Sequence, residues 1–157
     1  MKKLIILSLI SVVILIGCKI SPFNPKADAR IVSFTDTSNV AITSLTITGN
    51  PPHTIKANIQ IINGVDTNFD SYLIEFYDTS GNAYPLTINN KTSFYISGTG
   101  TAITSISGYM PIDITNQNVI DYQTANSIKQ MILKITIFGT DVNGNNVECK
   151  GQFTIYF

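Results

Sequence analysis

Residues 54–62 read TIKANIQII. Ile55, Ala57, Ile59 and Ile61 occupy alternate positions, with Lys56, Asn58 and Gln60 between them. Side chains alternate across the two faces of an extended strand, so this spacing makes one dry face and one wet face. The same parity recurs downstream. In SYLIEFY (71–77), Tyr72, Ile74 and Phe76 oppose Glu75. In MILKITIF (131–138), Met131, Leu133, Ile135 and Ile137 oppose Lys134 and Thr136. In VECKGQFTIYF (147–157), Val147, Cys149, Phe153, Ile155 and Phe157 oppose Glu148, Lys150, Gln152 and Thr154.

Weaker strand signals fall at residues 31–34, 42–48, 83–88, 94–97, 102–106 and 109–114. They are separated by the turn-forming stretches GNPPH, NGVDTN, DTSGN, NNKT, SGTG and DVNGNN. NQNVIDYQTANS, Asn116 to Ser127, predicts a helix of one or two turns. Many short strands with a turn about every ten residues predict an all-β, two-sheet sandwich.

Composition agrees. Only 13% of the 157 residues are charged, against about 25% in an ordinary soluble domain, and Thr, Ser and Asn carry the polarity. Ten Lys and Arg balance ten Asp and Glu. There is no basic field to hold nucleic acid and no like-charge tail.

The first seventeen residues follow a different rule. Lys2 and Lys3 precede a thirteen-residue apolar run, Leu4 to Ile16, interrupted by Ser8 and Ser11. A spanning helix needs about 20 apolar residues, so the run has the length of an export-signal core rather than a permanent anchor. It closes on Leu15-Ile16-Gly17-Cys18, which resembles the lipobox of bacterial lipoproteins. That resemblance implies a diacylglyceryl group on the Cys18 thiol and cleavage just before it. Two acyl chains make a stable anchor where one is marginal. It also implies a mature protein with eight Lys and Arg against ten Asp and Glu, held at the bacterial cell envelope and facing the periplasm or exterior. Lys19 stands where an Asp retains enteric lipoproteins at the inner membrane, which implies outer-membrane sorting. The expected organisation is therefore a signal peptide at 1–17, lipidated Cys18 and an extended, Pro-containing tether at 18–29, and a β-sandwich at 30–157.

The strand order of that sandwich resembles an immunoglobulin or fibronectin type III domain. The resemblance implies strands B, C, F and G at 54–62, 71–77, 131–138 and 147–157, with the helical piece as the E-to-F crossover. It departs from the immunoglobulin pattern in having no tryptophan on strand C and no inter-sheet cysteine pair. Face parity fixes the last hairpin. A two-residue turn at Asn143-Gly144 would set Phe138 against Cys149, mixing an outward residue with an inward one. A three-residue loop, Val142 to Gly144, instead pairs Ile137 with Cys149, Ile135 with Gly151 and Leu133 with Phe153, all inward, and puts Gly144 in the left-handed position.

Side chains that could carry chemistry are few. His53, the one histidine, sits by Pro51-Pro52 and reads as a solvated turn residue. Cys149 faces inward as a small hydrophobe. With Cys18 lipidated it has no partner for a disulfide. Glu75 and Glu148, the two glutamates, point outward from strands flanking a third, with no cleft between them. Asp66, Asn68 and Asp70 have the spacing of half an EF-hand loop, but Ser71 and Tyr77 stand where its Gly and Glu belong. In an immunoglobulin-like sandwich this loop would meet Asp141, Asn143 and Asn145, and ordinary turn chemistry competes with a calcium site there. On the outer face, Tyr77, Ile132, Phe138 and Tyr156 would form an apolar patch unless a strand or the tether covers them.

These readings predict no catalytic residues and no cofactor. They predict a non-enzymatic binding or scaffolding domain, held to the membrane through Cys18, with an envelope protein as a possible partner. The alternative is a carbohydrate-binding or hydrolytic accessory module. That reading has no tryptophan to stack a sugar, but seven tyrosines that could serve if they form an exposed row.

Overall fold

The alternating stretch at 54–61 forms a strand in which every second residue is buried, and it lies inside one of two packed sheets. The computed structural model describes residues 25–98 and 106–157. Among the described residues there are nine strands and one helix. In chain order they are β1 (Ala29–Thr35), β2 (Ala41–Ile42), β3 (Ser44–Thr46), β4 (Thr54–Ile61), β5 (Thr67–Tyr77), β6 (Ala83–Ile96), β7 (Ile106–Asp113), α1 (Gln117–Asn126), β8 (Gln130–Asp141) and β9 (Asn146–Tyr156). One sheet runs β2-β1-β4-β7 and the other β3-β9-β8-β5-β6. The fold is an all-β sandwich.

Its core is the set of inward faces the parity marks. Ile59, Ile61, Ile74, Phe76, Leu133, Ile135, Ile137 and Phe153 are all fully or almost fully buried. The β8–β9 ladder pairs Ile137 with Cys149, Ile135 with Gly151 and Leu133 with Phe153, the register that face parity demands. Gly144 closes the hairpin at φ +81°, a conformation open to glycine without strain. Opposite Ile135, Gly151 leaves room for Phe34 from the other sheet. A Cβ there would lie 2.8 Å from the Phe34 ring, which meets Phe153 edge-on at 5.3 Å.

Four local expectations change. Residues 42–48 do not form one strand: β2 joins β1 in one sheet and β3 joins β9, in parallel, in the other, so the chain changes sheets at Thr43. The stretch NNKT is no turn; β6 runs through it, pairing Asn89, Asn90 and Lys91 with Leu73, Tyr72 and Ser71 of β5, and Asn90 donates to the Tyr72 hydroxyl at 2.9 Å. The helix has ten residues rather than one or two turns. Asn116 caps it by accepting from Val119 N–H at 3.0 Å, and Ser127 ends it in a left-handed conformation. Finally, β1 begins at Ala29 and Ala27 is already buried, so the domain starts ahead of residue 30. The expected strand at 102–106 lies almost wholly outside the described residues.

Gly139 marks the tightest approach inside the second sheet. It pairs with Phe69 where β5 bulges around Asp70. A Cβ on residue 139 would sit 2.4 Å from the Asn68 carbonyl oxygen and 2.9 Å from the Phe69 Cα, both backbone atoms that cannot rotate away. Gly139→Ala should therefore cost about 1–3 kcal/mol, read as a lower urea midpoint.

Candidate functional site

One turn is used three times. Asp36–Val40, Asp78–Asn82 and Asp141–Asn145 each begin with an aspartate whose backbone N–H donates to the carbonyl four residues on, at 2.9–3.0 Å. The carboxylate then accepts from the N–H groups two and four residues ahead, at 2.8–2.9 Å. The fourth residue, Asn39, Gly81 or Gly144, has positive φ. This is the Asx chemistry of a three-residue loop, built from short side chains that bond their own backbone.

The Asp141 turn differs from the other two in its surroundings. Asp141 is 4% exposed, and besides the Asn145 side chain, a bond that Asn82 also makes to Asp78, its carboxylate accepts from the backbone N–H of Ala27 at 3.0 Å. Burial pushes this carboxyl up, but the hydrogen bonds from Asn145, Ala27 and Asn143 together outweigh it and hold the group below its ordinary range. Neighbouring contacts complete the end of the sandwich. Val142 N–H donates to the Asp66 carbonyl at 2.9 Å, joining the loop after β8 to the loop before β5. Asn63 accepts from Asp28 N–H at 3.0 Å and donates to the Lys26 carbonyl at 2.6 Å, and Asn143 donates to the Pro25 carbonyl at 3.0 Å.

The structure thus brings Asp66 and the start of β5, with Asn68 and Asp70, beside the turn of Asp141, Asn143 and Asn145, yet turns their carboxylates to separate partners. Asp66 accepts from the Tyr95 hydroxyl and Gly98 N–H. Asp70 accepts from the Ser71 hydroxyl at 2.6 Å, and Asn68 is exposed on β5. Among the described residues no three His, Cys, Asp or Glu side chains cluster as metal ligands.

The remaining candidates have structural partners. His53 is part-buried rather than solvated. One ring nitrogen, Nε2, donates to the Thr48 carbonyl at 2.8 Å, and Nδ1 is hydrogen-bonded to the Thr115 hydroxyl at 2.8 Å. Cys149 is buried, and burial together with the charge of Glu148 pushes its thiol up to about 12. It is protonated at neutral pH and therefore a poor nucleophile. Glu75 lies across from Lys134, and Glu148 pairs with Lys150 at 2.6 Å. Glu148 sits opposite Phe138, four positions along β8 from Lys134, so the glutamates are about 16 Å apart by strand geometry, too far for a glycosidase pair.

The outer face of the second sheet is not one apolar patch. Phe138 and Tyr156 are exposed, whereas Tyr77 and Ile132 are half-buried. Tyr77 pairs with Ile132, but Phe138 lies six residues, about 20 Å, further along β8. Lys134 stands between them, its ammonium 3.8 Å from the Tyr77 ring centre. Nor do the exposed tyrosines line up. Tyr109 belongs to the first sheet, and Tyr95 and Tyr156 lie toward opposite ends of the second.

No family model and no curated protein matches the chain. Among solved structures, it is similar to a Northeast Structural Genomics Consortium target, SoR45, at 6% identity and a TM-score of 0.38, with 84% of each chain covered.

Proposed function

We propose that this chain is a lipid-anchored protein of a bacterial envelope, and that its sandwich domain acts by binding or scaffolding rather than by catalysis. The observation that carries the reading is the run from Lys2 to Cys18: a charged start, an apolar core of thirteen residues and a closing Leu-Ile-Gly-Cys. Side-chain chemistry supports a non-catalytic role, since the thiol of Cys149 is kept protonated and the loop carboxylates hold the backbone in place.

The strand arrangement supports an immunoglobulin-like reading of the sandwich. β1 and β3 act as one leading strand divided between the sheets. β4 and β7 take the places of B and E, β5, β8 and β9 those of C, F and G, and α1 makes the crossover.

Cys18→Ser tests the anchor. The wild-type protein should carry acyl mass and partition into detergent, and the variant should accumulate as unlipidated precursor or be released from membranes. A wild-type protein without acyl mass ends this reading.

A further inference from the structure

The chain leaves the sandwich at a defined place. Pro25, Lys26, Ala27 and Asp28 run against the 62–66 and 142–145 loops, held by the four hydrogen bonds to Asp141, Asn63 and Asn143. β1, β5, β7 and β9 start at this end and β4, β6 and β8 finish there. From Pro25 back to Cys18 is seven peptide steps, which span at most about 25 Å even when fully extended. The twelve residues of β8 span about 40 Å, so the end bearing α1 and the Asp78–Asn82 hairpin lies beyond the tether's reach.

The near end also offers an apolar tip. Val142 is 71% exposed, the most exposed of the large hydrophobic residues among the described ones. It is braced on both sides, by its own N–H on the Asp66 carbonyl and by Asn143 on the Pro25 carbonyl. The carboxylate next to it, Asp141, is buried and satisfied, so the tip presents a methyl-bearing side chain among uncharged Asn and Gly. Lys26, Asp28 and Asp66 lie at the same end, so a Val142 seated in the interface leaves those charges at the hydrated headgroup level.

We propose that this end of the sandwich faces the bilayer, with Val142 seated in the lipid interface, and that α1 and the Asp78–Asn82 hairpin project away from it. The proposal rests on the lipid-anchored reading. It is tested on the full lipidated chain in phosphatidylcholine vesicles containing a nitroxide-headgroup lipid. An environment-sensitive fluorophore is placed on Val142→Cys or, at the far end, on Ser80→Cys; buried Cys149 does not compete for label. Emission at position 142 should shift to the blue and be quenched several-fold more than at position 80. A chain that floats with the vesicles yet shows equal quenching at the two positions, or more at 80, overturns the orientation and leaves the anchor standing. A chain that carries no acyl mass and does not float overturns both.

Discussion

Replacing Asp141 with alanine should lower the unfolding free energy by about 3 kcal/mol or more at pH 7, because buried donors lose a charged acceptor. The N–H groups of Ala27, Asn143 and Asn145 would all be left without it. The wild-type advantage should also depend on pH. The folded carboxyl is held below its ordinary range, so its contribution is fully present above the unfolded value of about 3.9 and fades as pH falls through the folded one. Urea midpoints for both proteins at pH 7 and near pH 3 check this, with the gap between them expected to narrow in acid. Asp78 forms the same turn and is also held low, first by the Asn82 side chain. It has no contact comparable to Ala27, so Asp78→Ala should have the smaller effect. Equal effects of the two substitutions would deny Asp141 its link to the 25–28 segment.

Truncating Ile135 to alanine should cost about 2–5 kcal/mol, the range for a large aliphatic side chain removed from a packed core. Ile135 is fully buried, flanked by Ile74 on β5 and by Gly151 on β9. The space over Gly151 is already taken by Phe34, which is locked edge-on against Phe153 and cannot swing freely into the void. Ile132→Ala, three residues earlier and half-buried on the outer face, is the natural control and should cost less. Chemical denaturation of the two variants compares them directly, and far-ultraviolet dichroism dominated by β structure checks that each still folds.

Why these elements could be read from sequence and others could not has a physical answer. Parity is a strong signal wherever one sheet face is dry, because a slip of one residue would expose every buried side chain. That is why the β8–β9 register was legible down to Cys149 opposite Ile137. Parity fails where a paired strand runs through polar, exposed residues. Asn90 looks like part of a turn until the Tyr72 hydroxyl is placed beside it, and nothing within NNKT foretells that partner. The division of 42–48 between two sheets is equally silent, since Ile42 and Leu45 are apolar under either arrangement. At the loop end, the sequence brought the right loops together and set turn chemistry against a cation, without naming the partner of each carboxylate. The acceptor role of Asp141 depends on Ala27, 114 positions away, and local spacing carries no trace of a contact that remote.

The short parallel strand β3 sets a condition on the order of events during folding. Its pairing joins Ser44 to Thr154 and Thr46 to Tyr156, so the two partners are separated by 110 positions in the chain. Contacts this remote must pay the entropy of closing a long loop before they return any stabilisation, which makes such topologies slow to form. An emerging polypeptide can assemble the β5–β6 hairpin early, but the second sheet has no β9 to build on until residues 146–156 have appeared. Its completion is a late event by construction, so the chain stays open until its last strand has arrived.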